Sequence, residues 1–286
     1  MCSMKPLLRV LAVLAFVLLA SAKPASAQAS GSIIFTARLT PSSGVAEPIR
    51  GLPFYLLRKS FADIQREAEA SQLEPDMDKF IDGLTVSKEL KACMEKHHTV
   101  HITADEFINN LTADEILTVP EFWRAYNRLN MANTNFGYPV PKYTESERKK
   151  NPAKYQRDVD DYHSRILHYI ETKPDSRYGM DSDLAAIDPS ARWNKIVESH
   201  RSTVRTMALD LAQSRYLVAQ AQTDLNGRAQ FSGLPPGNYW LTCLNVYAEV
   251  GDTRAKWDVP VTVRASAPTE LVVSNYNSVP AAAPSN

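Results

Sequence analysis

The feature that most constrains this chain is a change in its residue pattern that occurs twice. Residues 32–58 contain β-branched and aromatic runs separated by proline and glycine, which is typical of β-strands. From about residue 60 to residue 213, apolar residues recur at intervals of three and four, as in helices that bury one face. After residue 214 the strand pattern returns. The chain is therefore predicted to make a β-structure from its two ends and a helical segment from its middle.

The two strand-rich pieces are predicted to fold together. Residues 28–59 and 214–278 amount to about 97 residues, which suits a seven-stranded sandwich. Neither piece has enough strands for two sheets of its own. The predicted fold class is α+β, with a seven-stranded antiparallel β-sandwich interrupted by a large all-α insertion over residues 60–213.

Helix-start signals are clear within the insertion. Thr103–Glu106 and Thr112–Glu115 each match the capping box, in which a hydroxyl and a carboxylate satisfy free amides at the start of a helix. Pro152 stands where a first helical turn tolerates proline. Asp161 and Arg165 are spaced to form an ion pair on an exposed helix face. These signals predict a helical subdomain of several helices.

The C-terminal piece carries turn signals between its strands. Residues 224–227 read Asp-Leu-Asn-Gly, a turn in which Asn and Gly accept a positive φ. Residues 238–250 alternate between apolar and polar and are predicted to form one long strand. The small residues of 279–286 predict a flexible tail.

One motif in this piece resembles a known family. Residues 223–239 fit the pattern T-D-x-x-G-x-x-x-F-x-x-L-P-P-G-x-Y of the carboxypeptidase regulatory-like domain. The matching residues are Thr223, Asp224, Gly227, Phe231, Leu234, Pro235, Pro236, Gly237 and Tyr239. That family is related to Cna-B and transthyretin-type (prealbumin-like) sandwiches, which are also grouped as a carbohydrate-binding-like fold. The insertion resembles no family known to us.

The resemblance implies a prealbumin-like sandwich with a supporting or binding role and no catalysis. Its glycines would mark turns, and Phe231 and Tyr239 would fill the core between the sheets. Modules of this family are usually non-catalytic appendages for stability, adhesion or sugar contact. No peptidase activity is implied.

The positions of the charged residues and histidines indicate where an enzymatic site would lie. The 32 basic and 32 acidic residues cancel over the whole chain, so no basic excess favours nucleic-acid binding. Residues 60–213 hold 46 of these 64 charges and all six histidines. An enzyme in this chain would therefore have its site in the insertion, with metal or carboxylate chemistry.

The histidines near residue 100 have two interpretations, a metal site or a solvated helix end. His97 and His101 lie one helical turn apart, with Asp105 and Glu106 nearby. Because Thr103 begins a new helix, we expect the histidines to form a solvated helix end, where they complement the helix dipole. We predict no metal, no cofactor and no catalytic residue.

Aromatic residues of the insertion are candidate ligand contacts. Phe122, Trp123 and Tyr126 cluster in one helical stretch, with Tyr138 and Tyr143 further along the chain, and sugars stack on exposed aromatic rings. At helical spacing such residues are more often part of a core.

Residues 1–27 have the form of a secretory signal peptide. Lys5 and Arg9 precede an apolar run at 10–20, and Ala25-Ser26-Ala27 supplies the small side chains of a cleavage site. The run is too short to span a bilayer, so no transmembrane anchor is expected. We predict cleavage near Ala27–Gln28 and a secreted or periplasmic protein.

The mature chain would keep two cysteines, Cys93 and Cys243. An oxidising compartment permits a disulfide between them, but Cys243 alternates with core positions, which favours a buried free thiol.

The predicted function is an exported, non-catalytic binding or structural module of the bacterial cell envelope. The sandwich would serve as scaffold and the insertion as the surface for an envelope polysaccharide or envelope protein. The alternative is an enzyme in the insertion.

Overall fold

The computed structural model describes residues 30–279, so the predicted signal peptide and nearly all of the predicted tail lie outside the described residues. The described chain forms two compact units. The first comprises residues 30–71 and 205–279, and the second is Gln72–Val204. Strands build most of the first unit and helices build the second, so the fold class is α+β, as predicted. No described helix is long and apolar enough to cross a membrane.

Ten strands lie in the first unit. They are β1 (Gly31–Leu39), β2 (Glu47–Pro48), β3 (Pro53–Leu57), β4 (Leu217–Gln222), β5 (Arg228–Leu234), β6 (Gly237–Thr242), β7 (Ala248–Val250), β8 (Thr253–Val263), β9 (Pro268–Val273) and β10 (Ser278–Val279). Seven of the ten have five residues or more and correspond in number to the seven predicted. The other three, β2, β7 and β10, are short additions.

The strands form two sheets. In the first, β1 pairs antiparallel with β5 and, at its end, with β2, and it pairs parallel with β9. In the second, the order is β10-β8-β6-β3-β4, with β7 beside β8, and every pairing is antiparallel. The parallel β1–β9 pair departs from the antiparallel prediction. Alternation has a period of two in either direction, so it cannot report strand direction.

One hydrophobic core fills the space between the sheets. Alternate residues of β1 point inward and are buried, as the pattern of a half-buried strand requires. The ring of Phe35 lies 4.9 Å from that of Phe54 in the other sheet and 5.8 Å from that of Phe231 on β5. Each such buried side chain contributes about 1.5–3 kcal/mol. Residues from both ends of the chain therefore share this core.

The predicted long strand at 238–250 is interrupted. β6 ends at Thr242, and Leu244 has a left-handed φ of 55°. The Thr242 hydroxyl accepts a hydrogen bond from the Leu244 N–H at 2.9 Å, which stabilises the bend. The prediction of one strand was wrong because Cys243 and Leu244 are buried although neither belongs to a strand, so apolar residues continue through the bend.

The chain forms ten helices within the described residues. They are α1 (Phe61–Ala70), α2 (Met77–Asp82), α3 (Lys88–Lys96), α4 (Asp105–Asn110), α5 (Ala113–Thr118), α6 (Pro120–Asn130), α7 (Glu145–Lys150), α8 (Pro152–Thr172), α9 (Met180–Leu184) and α10 (Ser190–Leu211). Short 3-10 segments occur at Thr134–Phe136, Pro174–Arg177 and Asn275–Asn277, and a π-helical turn follows α10 at Ala212–Tyr216.

Helix α1 belongs to the first unit, although its residues lie within the segment 60–213 that the sequence suggests as the insertion. A carboxylate oxygen of Asp258 on β8 accepts a hydrogen bond from the Ala62 N–H at 3.1 Å, at the start of α1. Further along α1, Glu67 accepts hydrogen bonds from Arg215 at 2.9 Å and Tyr216 at 2.8 Å. These polar contacts attach α1 to the strand-rich unit. The insertion boundaries stay a prediction.

One of the two predicted capping boxes forms. The Glu115 N–H donates to the Thr112 hydroxyl at 3.2 Å, and the Glu115 carboxylate accepts from the Thr112 N–H at 2.8 Å. The box predicted for Thr103 is wrong, since α4 begins at Asp105 without a side-chain cap. The N–H and hydroxyl of Thr103 donate instead to Asp188, at 3.0 and 2.7 Å. The Asp188 carboxylate, distant in sequence, therefore binds Thr103 in place of the predicted local partner Glu106.

Candidate functional site

The Thr-Asp turn of the family-like motif is a backbone turn. One carboxylate oxygen of Asp224 accepts hydrogen bonds from the N–H groups of Asn226 and Arg228, both at 2.8 Å. Gly227 has a φ of 73°, and a Cβ there would lie 2.4 Å from the carbonyl oxygen of Ala37. The turn therefore needs Asp for its hydrogen bonds and Gly for space.

The remaining motif residues stabilise the sandwich. The Thr223 hydroxyl accepts a hydrogen bond from the Leu52 N–H at 3.0 Å. The Tyr239 hydroxyl donates to the carbonyl oxygen of Pro235 at 2.8 Å, while its ring is buried with Phe231 in the core. These contacts connect strands and loops, and they leave no reactive group at a surface.

The second unit holds the groups that could recognise a ligand. All six histidines lie within Gln72–Val204. The same unit contains a solvent-open groove of about 640 Å³, which we call the α8 groove. Its lining comes from the loop before α7 and from one face of α8: Gly137, Tyr138, Pro139, Val140, Lys142, Ser164, Arg165, His168, Tyr169 and Thr172. This volume is in the range of ligand pockets.

The groove follows from helical spacing on one side and a fixed loop on the other. Arg165, His168, Tyr169 and Thr172 recur at three and four along α8 and so share one face. On the loop, the Tyr138 hydroxyl donates to the side-chain oxygen of Asn127 at 2.8 Å. The loop therefore has a defined position opposite the helix face.

Tyrosine rings form the apolar wall of the groove. The rings of Tyr138 and Tyr169 meet edge to face, with centroids 5.4 Å apart, and Tyr126 lies behind Tyr138 at 6.3 Å. Burial raises the pKa of Tyr126 to about 12, against a lowering effect of its hydrogen bond with Ser176. Burial also raises the pKa of Tyr138. The Tyr126 and Tyr138 phenols therefore stay neutral at physiological pH and supply no acid–base chemistry.

Three side chains with nitrogen donors, Arg165, Lys142 and His168, also line this groove. Arg165 donates from Nε to Asp161 at 3.0 Å, which forms the predicted ion pair, and from Nη2 to the Val140 carbonyl at 3.4 Å. The side chains of Lys142 and His168 are exposed and have no hydrogen-bond partner within residues 30–279. The groove thus combines an apolar wall with donors that are free to bind an external acceptor.

The predicted ligand contacts Phe122, Trp123 and Tyr126 are not arranged as a surface. Phe122 and Tyr126 are fully buried in the helical core, so a ligand has no access to either ring. Trp123 is half-buried and packs against the same core. Helix α6 buries the face on which apolar residues recur at intervals of three and four, so Phe122 and Tyr126 belong to the core. Tyr138, which the sequence grouped with this aromatic cluster, lines the groove, and so does Tyr169, which the sequence assigned to no site.

A second polar cluster lies deeper in the helical unit. Glu115 Oε1 accepts a hydrogen bond from Lys96 Nζ at 2.8 Å and lies 2.7 Å from His97 Nε2. Cys93 Sγ is 4.0 Å from the same oxygen. The other oxygen, Oε2, accepts from the N–H and hydroxyl of Thr112 at 2.8 and 2.9 Å. One carboxylate thus holds the end of α3 beside the start of α5.

The two ends of this cluster have opposite pKa shifts. Burial alone would raise the pKa of Glu115, but hydrogen bonds from Lys96, Thr112 and His97 outweigh it and lower the pKa to about 2. Burial and the neighbouring Glu115 charge raise the pKa of Cys93 to about 11. The carboxylate is therefore ionised and the thiol protonated, so Cys93 is not an activated nucleophile.

The histidine pair considered from the sequence does not converge. His97 is the C-terminal cap of α3 and belongs to the cluster, whereas His101, Asp105 and Glu106 are exposed and lie outside it. Sequence reasoning missed Cys93 and Glu115 as neighbours of His97. The four-residue spacing of Cys93 and His97 was a usable signal, but nothing local points to Glu115.

Both described cysteines are free thiols. Cys93 and Cys243 are buried, and neither forms a disulfide in the structure. In the sandwich, Cys243 Sγ accepts a hydrogen bond from the Trp257 N–H at 3.2 Å. The thiol is thus part of the strand-to-strand contacts at the end of β6, as the core interpretation predicted.

No family model matches this sequence, and no curated protein matches it. Among solved structures, the minor pilin GBS52 of Streptococcus agalactiae matches with 10% identity and a TM-score of 0.26, covering 91% of this chain and 49% of the pilin. The pilus backbone protein RrgB of Streptococcus pneumoniae matches with 11% identity and a TM-score of 0.22, covering 86% of this chain and 41% of RrgB.

A third match is PA1324 of Pseudomonas aeruginosa, a candidate carbohydrate-binding protein. It has 15% identity and a TM-score of 0.23, covering 88% of this chain and 93% of that protein. This chain spans about half the length or less of the two pilins. Likeness at this level assigns no role to any residue, so function must be argued from the geometry of this chain.

Proposed function

We propose that this chain is an exported, non-catalytic binding module of the bacterial cell envelope that holds an acidic glycan in the α8 groove. The sandwich serves as scaffold and the helical insertion carries the binding surface. The carboxypeptidase regulatory-like resemblance of residues 223–239 agrees with such a role. Export rests on the signal-peptide form of residues 1–27.

The observation that carries this proposal is the composition of the groove. Its exposed walls are mainly apolar and include the half-buried Tyr169 ring, which packs on the buried Tyr138, and Lys142, Arg165 and His168 also line it. A sugar ring has apolar C–H faces and polar edges, so it matches a wall of this kind. None of the groove residues is an Asp or a Glu. A carboxylate-bearing sugar fits such a lining better than a neutral one.

The groove also lacks the features of an active site. No carboxylate or thiol lines it, and its buried tyrosine has a raised pKa. General acid–base catalysis needs a titratable group poised near neutral pH and within reach of the reacting atom. His168 is the one histidine among the groove residues, and its side chain is exposed rather than enclosed around a reacting atom. Binding without chemistry is the better fit.

Affinity electrophoresis of the purified chain tests the proposal directly. Gels containing alginate, a polyuronate, are compared with gels containing dextran, a neutral polysaccharide. We expect alginate to retard the chain and dextran to retard it less. The Tyr169→Ala variant should bind alginate about two- to tenfold more weakly, since one aromatic contact contributes about 0.5–1.5 kcal/mol.

Two matched controls separate the groove from general effects. Tyr169→Phe keeps the ring and should bind nearly as well as the natural chain. Lys149→Ala removes an exposed charge on α7 outside the groove and should change retardation less than Lys142→Ala does. Equal effects of the two lysine variants, or no retardation by either polysaccharide, would show that the groove does not bind acidic glycans.

A further inference from the structure

Three different donor atoms meet inside the helical unit. Cys93 Sγ, a ring nitrogen of His97 and a carboxylate oxygen of Glu115 all lie within 4.8 Å of one another. Cys93 and Glu115 are buried and His97 is half-buried. Cys93 and His97 are one helical turn apart at the end of α3, and Glu115 comes from the first turn of α5. We propose that these three residues bind one divalent transition-metal ion of the zinc class.

The distances are close to those of a coordinated ion. Zinc–ligand bonds of about 2.0–2.3 Å in a tetrahedral arrangement place ligand atoms about 3.3–3.8 Å apart. His97 Nε2 and Glu115 Oε1 are 2.7 Å apart, and Cys93 Sγ is 4.0 Å from Oε1. Shifts of about 1 Å or less in the side chains would bring these two pairs into range, without moving either helix.

The donor types select the class of ion. Mg²⁺ and Ca²⁺ take oxygen ligands, whereas a set of one thiolate, one imidazole and one carboxylate suits zinc and similar borderline ions. Three protein ligands leave a fourth position for water or another small ligand.

The surroundings already orient the ligands. Thr112 holds Oε2 of Glu115 with two hydrogen bonds, which turns Oε1 toward Cys93 and His97. The ring of Phe107 meets the His97 imidazole edge to face at 5.5 Å, which limits its rotation. Outer hydrogen bonds such as those from Thr112 are what orient a metal-ligating carboxylate.

The Lys96 ammonium group would compete with the metal ion for Glu115 Oε1. That group lies 2.8 Å from the same Oε1 that the metal would use, and the Lys96 side chain is 64% exposed. It can therefore swing into solvent when an ion enters. The incoming 2+ charge would then be balanced by the Glu115 carboxylate and a Cys93 thiolate, and the thiol proton would pass to solvent.

Cobalt titration tests the proposal, because Co²⁺ replaces zinc and a cobalt–thiolate bond produces an intense near-ultraviolet charge-transfer band. We expect the purified chain to develop this band with one equivalent of Co²⁺ and to lose it when Zn²⁺ is added. Cys93→Ser should abolish the band and weaken zinc binding by about tenfold or more. Cys243→Ser removes the other described thiol and should leave the band intact.

Lys96→Met provides a test that does not depend on losing a ligand. Because it removes the competing cation, it should strengthen Co²⁺ binding by about two- to fivefold. His97→Gln should weaken it and offers a second ligand variant in case Cys93→Ser does not fold. The absence of the band at saturating Co²⁺, or its survival in Cys93→Ser, would overturn the proposal. Cobalt bound without a thiolate band would point to the surface histidines instead.

Discussion

Two polar side chains of the sandwich motif and two of the helical unit differ in how far away in sequence their partners lie. In the sandwich, motif residues such as Asp224 and Tyr239 bond to backbone groups two to four positions away. In the helical unit, Thr103 bonds to Asp188, 85 residues away, and Arg177 bonds to carbonyls 66 and 68 residues away. Distant polar contacts occur in both units, since Thr223 of the same motif bonds to Leu52, 171 residues away. The readable part of the motif is its local contacts, whereas a contact between distant residues leaves no local pattern.

The largest effect is expected at the sandwich turn. Gly227→Ala should lower the free energy of unfolding by about 3–4 kcal/mol, since it adds a left-handed strain of about 1–3 kcal/mol to a Cβ contact at 2.4 Å from Ala37. Gly233→Ala is the matched control, because Gly233 has a similar φ of 70° but free space around a Cβ. Urea unfolding measures both. Equal losses would mean that the close approach to Ala37 is unimportant.

The helical counterpart is a buried arginine. Arg177 is 9% exposed, and its Nη1 donates to the carbonyl oxygens of Leu111 at 2.6 Å and Asn109 at 3.0 Å. Arg177→Met should cost about 2–3 kcal/mol, because two carbonyls near the end of α4 lose their donor. Hydrogen exchange should show the lost protection around α4. A loss as small as that of the exposed Arg128→Met would contradict this role.

A smaller effect with a pH signature is expected at Asp188. Burial would raise the pKa of its carboxyl, but hydrogen bonds from Ser190 and Thr103 outweigh this and lower the pKa below the ordinary 3.8. A depressed folded-state pKa adds stability above pH 4 that is lost as the pH falls through the folded value. Asp188→Asn should therefore cost about 1–2 kcal/mol at pH 7 and progressively less below pH 4.

Thermal unfolding across pH 2.5–7 would measure how the stability of Asp188→Asn approaches that of the natural chain as the pH falls. Asp183→Asn is a suitable control, since Asp183 forms an exposed ion pair with Arg128 that contributes about 0.2–1 kcal/mol. A constant difference between Asp188→Asn and the natural chain at all pH values would exclude the charged hydrogen bonds as the cause.

The smallest effect is expected at the sandwich core. Tyr239→Phe removes only the hydrogen bond to the Pro235 carbonyl and should cost about 0.5–1.5 kcal/mol in urea unfolding. If it costs as much as Arg177→Met, the contrast between local and distant polar contacts does not hold.

The sequence predicted the α+β class and the sandwich strands because alternation reports local burial. It did not predict that β9 runs parallel to β1, since direction depends on the path of the chain. Residue spacing in α6 was also read correctly as helical, but it could not tell core from surface for Tyr126. The α8 groove depends on the loop at 137–142 meeting α8, and the Glu115 cluster depends on α5 meeting α3. Both contacts join segments that are separate in the sequence, so no local residue pattern predicts them.

The central position of β1 has a consequence for how the chain is made. Its long-strand partners, β5 and β9, begin at residues 228 and 268, while β1 itself ends at residue 39. At about 5–20 residues per second, roughly ten to forty seconds of synthesis separate β1 from the start of β5. The helices between them contact mostly near neighbours and can form meanwhile. The first described strand to be synthesised is thus among the last to find its long partners, and its apolar face lacks its sheet neighbours until then.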